Sequence, residues 1–485
     1  MKATDRTNNS ATGFQQKLLG ILLLGLLLRF ALLLLAMPVE LQSDEANYGF
    51  LALGLERFGI YFDCYRYLWP PLYPGFLRLC FFLADEQGLL LARVIQVLST
   101  VSIGWSCMTI ARRLFNDRIA LVTGVLWVLH LPLASYSHLL WSESLSLALW
   151  GPALALLIAA SHDPGHPARG LRLLGYALLA GISVHLKESN LYLTPLLLLP
   201  LAWSLRCQGT KPVEILRVVS LPLLLFTLVI LPWSLRNLEV YGRLTVASTL
   251  GENVYNGLNA THRNFDLIPV NTTLQRQNLP ILKVREPMRG TSSTHGNLIS
   301  WPRAEEELNL PLRLDANRRR GMEFAQAHPG WFLKARIQKL SDLVAPVSFL
   351  TRHLTLGHYP SSLAQFRVPL VLWSLAAAAL TLLLGIIGLT ARMPASPAAG
   401  IFALQGAYYL ATGSLVAMSR FRLPLVPILL IGCASLICLG LRGISRPRRA
   451  LCVAGTLCLL ALWVLGSPTT LGLLRAALGG LEASP

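Results

Sequence analysis

Apolar runs of about 17–25 residues recur along this chain, the length needed to cross the hydrocarbon core of a bilayer. That repetition removes most folds from consideration. Inside lipid every backbone amide must be satisfied within the protein, so only helices or closed barrels can span. The runs are continuous, as from Leu18 to Met37, and lack the alternation of a barrel strand. The sequence therefore reads as an all-α polytopic membrane protein with about eleven transmembrane helices and a mixed extracytoplasmic segment. Composition agrees, with 54% hydrophobic and 14% charged residues. The formal net charge of +18 would suit nucleic acid, but the basic residues fall mostly in short loops between spans, where they set topology. No nucleic-acid partner is expected. The eight cysteines show no metal-binding spacing, and most sit inside apolar runs as small hydrophobes. A disulfide between Cys64 and Cys80 is one option in an oxidising compartment.

The expected spans centre near residues 28, 98, 126, 150, 179, 197, 225, 376, 408, 432 and 458. The first is too long for the apolar core of a cleavable leader and reads as a signal anchor. Basic groups before the first span and after the second, fourth, sixth, eighth and tenth all fall on one side, which is then the cytoplasm. They include Lys2, Arg113, Arg172, Lys211, Arg392 and Arg446. The chain divides into a transmembrane module over 1–235 with an outer loop at 38–87, an extracytoplasmic segment over 236–365, further spans over 366–466, and a tail over 467–485. Within the extracytoplasmic segment, residues 261–315 have little periodicity. Asn317 to Leu343 has the helical spacing of Phe324, Phe332, Ile337 and Leu340, which reads as a helix lying on the membrane surface.

Ionisable residues at a lipid boundary are costly, and so mark function. Asp44-Glu45 follows the first span directly. A carboxylate in a partly dry setting can act as a base toward a hydroxyl; the alternatives are a metal ligand or the N-cap of a juxtamembrane helix, with Ser43 or Asp44 as the cap. Glu143, in Trp141-Ser142-Glu143-Ser144, sits at the outer edge of the fourth span. Lys187, in His185-Leu186-Lys187-Glu188, is a lysine at the outer boundary, against the topological bias. It either pairs with Glu188 or binds a lipid-borne phosphate. Arg236, in Pro232-Trp233-Ser234-Leu235-Arg236-Asn237, and Arg420 and Arg422, in Ser419-Arg420-Phe421-Arg422-Leu423-Pro424, add arginines on the same face. Arginine suits bidentate phosphate binding, although each could also be snorkelling.

These segments resemble, in order and placement, the polyprenyl-phosphate-dependent glycosyltransferases of the GT-C superfamily. The resemblance is nearest to the bacterial branch related to protein O-mannosyltransferases and lipid A aminoarabinose transferases. It rests on the Asp44-Glu45 pair, Trp69-Pro70-Pro71 in the first outer loop, Pro232 to Asn237 with Tyr241-Gly242-Arg243, His328-Pro329-Gly330-Trp331-Phe332-Leu333, and Arg420 to Pro427. It covers roughly residues 20 to 430. It implies a GT-C type fold, a polyprenyl-phosphate-linked sugar donor, a lipid, glycan or protein acceptor, and transfer on the outer face of an inner membrane. It further implies Asp44 as the catalytic acid, Glu45 as its partner and Glu143 as an acid of the site. Lys187, Arg236, Arg420 and Arg422 would meet the donor phosphate. Some relatives carry a basic residue just before the Pro-Pro; here Trp69 stands there, and Arg66, three residues earlier, is the candidate from this loop for the donor phosphate. No cofactor is expected. A divalent metal serves oligosaccharyltransferases of this fold, but the second outer segment lacks the extra acidic motif they use. The alternative function is a lipid or solute transporter or flippase. Against it, no repeat symmetry or pair of broken helices is evident.

Overall fold

Helices account for all the regular secondary structure among the described residues of the computed structural model. It describes residues 2–37, 41, 44–59, 61, 69–247, 319, 322–323, 325–416 and 419–478. Ser43, Cys64, Arg66, Phe324 and the 261–315 stretch lie outside these. Seven helical segments are long and apolar enough to cross a membrane: Gly13–Ala36, Leu72–Leu114, Ser142–His162, Pro212–Tyr241, Arg367–Arg392, Ser419–Leu439 and Arg446–Ser467. The chain is a multi-pass membrane protein. Shorter helices, Asp117–Leu129, Arg169–Val184 and Pro397–Val416, cover three more of the expected centres. The expected centre at 197 falls on a turn between Asn190–Leu196 and Leu198–Cys207. Pro195 and Pro200 flank that turn, and each removes a backbone donor from a helical ladder.

The described part of the first outer loop is largely helical. Asp44–Phe58 is a helix that opens on both acids. Leu72–Ala84 is a second helix, with Pro74 in its first turn, where a missing amide costs nothing. It buries Tyr73, Leu77 and Cys80 together with Tyr48, Leu51 and Trp69. The Pro-rich stretch thus starts a packed helix that leads, through a single tight turn at 85–87, into Gly88–Leu114.

The segment between the seventh and eighth expected spans is also partly in the bundle. The Pro329–Val344 helix was expected to lie on the membrane surface. Its last three turns bury Ala335, Lys339, Ser341, Asp342, Leu343 and Val344. Ser341 donates to the Leu462 carbonyl at 2.5 Å, and Trp463 Nε1 donates to Val344 at 2.8 Å. Burial lowers the Lys339 ammonium to about 8, with Asp342 opposing and Arg336 adding to the effect. Two short helices follow, Phe349–Thr355 and Ser361–Ala364. At the C-terminal side, the tail expected from 467 is helical as far as Leu478, continuous with the helix from Arg446.

Membrane helices gain little from hydrophobic exclusion and associate by close packing of small residues. The Arg367–Arg392 and Val426–Leu439 helices show this most sharply. A Cβ on Gly388 would lie 1.8 Å from the Gly432 carbonyl oxygen, so the two backbones touch there. At one end of the bundle Arg113 and Arg172 share Asp163, at 2.7 and 3.6 Å. Arg392 donates to the carbonyls of Leu439, Gly440 and Arg442, at 2.7–3.0 Å. The loops that carry the basic groups thus bind one another's helix ends.

Candidate active site

The Asp44–Phe58, Ser142–His162 and Ser419–Leu439 segments bring their N-terminal ends together. Asp44 is the first residue of its helix and Glu143 the second of its own. Helix N-termini favour carboxylates there, because the unsatisfied amides carry partial positive charge. Each acid then meets a cation from elsewhere in the chain. Arg420 Nη1 donates to Asp44 Oδ2 at 2.5 Å, and its Nε lies 3.9 Å from Glu143 Oε1. Lys187 Nζ donates to the same Glu143 oxygen. All four side chains are 17% exposed or less.

Lys187 comes from the turn between Arg169–Val184 and Asn190–Leu196. Its amide donates to the Ser183 carbonyl at 2.9 Å, which fixes the turn. Pairing with Glu188 was one of the two alternatives; the structure pairs Lys187 with Glu143. Burial lowers the Lys187 ammonium below its ordinary value, with Glu143 working against the shift. Aromatic faces wall the cluster. Arg420 lies 5.3 Å from both the Trp141 and Phe421 ring centres, and Lys187 5.1 Å from Phe421. These distances suit cation–π attraction in a poorly hydrated site. A cavity beside the pairs is lined by Glu143, Ser146, Trp150, Lys187, Asn190, Tyr409 and Arg420.

The other expected site residues lie elsewhere or face other partners. Glu45 is 1% exposed and turns away from Asp44: its Oε1 accepts the Leu140 amide at 2.6 Å. Arg422 points into the bundle and donates to the carbonyls of Leu343, Ala345 and Val347. It fastens the end of the Pro329–Val344 helix. Two residues along a 3₁₀ turn from Arg420, its side chain leaves on another side. Arg236 packs against the rings of Tyr61, Trp233 and Tyr241 at 4.8–5.5 Å and donates to Asn237 Oδ1 at 3.0 Å. Arg66 lies outside the described residues. Among the described residues no group of three or more His, Cys, Asp or Glu is placed to hold a metal ion.

The sequence reading missed Trp141, Tyr409 and Asn190 as parts of this site. Trp141 was in view as a neighbour of Glu143. Tyr409 donates to Asn190 Oδ1 across 219 residues of sequence, a pairing no local signal announces.

The fold and the cluster define a multi-pass helical membrane protein with a buried site of two acids and two cations. No family model matches the chain, and no curated protein matches it. Among solved structures it is similar to the archaeal oligosaccharyltransferase AglB from Archaeoglobus fulgidus, in complex with an inhibitory peptide and a dolichol-phosphate. The identity is 12% and the TM-score 0.46, over 93% of this chain and 55% of that one. It is also similar to ArnT from Cupriavidus metallidurans bound to undecaprenyl phosphate. Here the identity is 17% and the TM-score 0.37, over 88% of this chain and 78% of that one. The chain spans about half the length of the oligosaccharyltransferase.

Proposed function

We propose that the protein is an inverting glycosyltransferase that moves a sugar from a polyprenyl-phosphate donor to an acceptor hydroxyl on the extracytoplasmic face of an inner membrane. The observation that carries this reading is the Asp44–Arg420–Glu143–Lys187 cluster, which sets a candidate base beside two buried cations. The order of motifs around these residues supports it.

In the proposed reaction Asp44 accepts the proton of the acceptor hydroxyl while its oxygen attacks the anomeric carbon. The bond from that carbon to the phosphate oxygen breaks, and its electron pair leaves with polyprenyl phosphate. The leaving group goes from a monoanionic diester to a monoester with a second negative charge, so it needs cations rather than a general acid. Arg420 and Lys187 supply them. Glu143 holds both cations in place before the donor arrives. Because Arg420 also binds Asp44, the donor phosphate would share this guanidinium and loosen its hold on the base. Burial keeps water, the competing nucleophile, away.

The test is turnover of purified protein in lipid nanodiscs, read as polyprenyl phosphate released from a panel of synthetic polyprenyl-phosphate pentoses and hexoses. Asp44→Asn should lower turnover by ~10²–10⁴-fold, the scale of a lost general base. Arg420→Ala and Lys187→Ala should each weaken undecaprenyl phosphate binding by about 10–150-fold, from roughly 1.5–3 kcal/mol per charged hydrogen bond. Arg446→Ala, at the start of the last helix on the opposite face, should leave binding intact. Full turnover by Asp44→Asn would remove the base and with it the mechanism.

A further inference from the structure

The stretch Tyr136–Trp141 is neither helix nor strand, yet every residue in it is buried. It lies between the short Leu131–Ser135 helix and the helix that carries Glu143. Irregular backbone at membrane depth survives only where protein satisfies its polar groups. Here three buried side chains from two other helices do so. Gln96 Nε2 donates to the carbonyls of Ser137 and Leu139, at 3.2 and 2.7 Å. Arg93 Nε donates to the His138 carbonyl at 3.1 Å. Glu45 Oε1 accepts the Leu140 amide at 2.6 Å. Gln96 is itself oriented by Tyr73, whose hydroxyl donates to its Oε1 at 2.6 Å. His138 Nε2 shares a hydrogen bond with the Tyr359 hydroxyl at 2.9 Å. The exposures of Glu45, Arg93 and Gln96 are 1%, 3% and 0%.

We infer that Glu45, Arg93 and Gln96 are positioning residues that lock Tyr136–Trp141 and so aim Trp141 and Glu143 at Arg420 and Lys187. This rests on the transferase reading for what the aim achieves. Trp141 ends the locked stretch and lies against Arg420. Ser142 comes next, 3.5 Å from the Tyr48 hydroxyl, and Glu143 follows it. The helix start therefore inherits its position from the locked backbone. In this account Glu45 acts as a hydrogen-bond acceptor and takes no proton from substrate. The two adjacent acids divide the work: Asp44 meets Arg420, and Glu45 meets the Leu140 amide.

The experiment uses the full chain in nanodiscs, with hydrogen–deuterium exchange and turnover of the same polyprenyl-phosphate sugar panel measured on each variant. Glu45→Gln keeps an acceptor oxygen. It should retain turnover within about fivefold, preserve the acid limb of the rate–pH profile, and keep exchange over 136–141 slow. Glu45→Leu and Gln96→Leu each remove a bond to the stretch. Both should speed exchange over 136–141 while the peptide over 100–112 stays protected, and both should lose at least about 100-fold in turnover. If Glu45→Leu does not fold, Gln96→Leu carries the test. The proposal is overturned if Glu45→Gln is as inactive as Glu45→Leu with exchange unchanged, because the carboxylate would then be used chemically. It is equally overturned if both Leu variants exchange and turn over as the parent does. Should no panel sugar be turned over by any form while exchange follows the stated pattern, the transferase reading fails and the locking contacts stand.

Discussion

Glu143 is shared by two cations, and this makes the Glu143–Lys187 pair asymmetric in a measurable way. Glu143→Gln removes the nearest counter-charge of Lys187, whose side chain is only 16% exposed, and loosens Arg420 as well. Orphaning a buried charge costs about 3–5 kcal/mol. Lys187→Met leaves Glu143 with Arg420 still 3.9 Å away. Part of the attraction survives, so the loss should be about 1–2 kcal/mol, toward the lower end for a buried charged hydrogen bond. In the double variant Lys187 is no longer present to be orphaned. Its loss should fall short of the sum of the singles by about 1–3 kcal/mol, the range of coupling for side chains in direct contact. The assay is reversible unfolding of the purified protein in mixed micelles, with the four proteins run under one condition. Two single variants of equal stability and an additive double would refute the reasoning. They would mean that Glu143 is not held between two cations and that each charge is solvated on its own.

Reporter tags should place Gly165, Lys211 and Arg446 in the cytoplasm and Arg66 and Ser292 outside; a cytoplasmic Ser292 would put the site on the wrong face. Lys339 predicts a pH dependence. Its folded value is about 8 against an ordinary 10.5, so between those limits the unfolded chain still holds a proton that the folded chain has released. Stability should therefore rise with pH across about 8 to 10.5, and Lys339→Met should flatten that slope in the same unfolding assay. Gly388→Ala should destabilise by about 1–3 kcal/mol or more, the scale of overpacking, because the added carbon meets a backbone oxygen. An unchanged unfolding midpoint would show that the two helices can separate freely.

The membrane class and most helix positions were legible, because apolar runs of spanning length have few other uses. So were the four residues of the cluster, each of which stood out as an ion at a lipid boundary. What the sequence could not show was direction. Asp44 and Glu45 are adjacent and chemically alike, and only the packing of their helix decides which meets Arg420 and which meets the Leu140 amide. Arg420 and Arg422 pose the same problem on a 3₁₀ turn, and Arg422 proves to hold backbone carbonyls. Lys187 offered Glu188 as a neighbour, whereas its partner lies 44 residues away. The helix at Leu72–Ala84 was hidden because Pro70, Pro71 and Pro74 read as loop, although proline suits the first turn of a helix.

The bond between Asp44 and Arg420 joins positions 376 residues apart in sequence. A chain made from its N-terminus inserts Asp44, Glu143 and Lys187 long before Arg420 exists. Until then Asp44 sits at the bilayer edge without its cation, and an uncompensated acid there is unfavourable. The half-made protein therefore lacks the Asp44–Arg420 bond until the Ser419–Leu439 segment arrives. Only with that segment does Asp44 gain its cation, and one further spanning helix, from Arg446, then joins the bundle. A stalled or truncated chain would then carry at its membrane boundary the acid that Arg420 pairs in the finished protein.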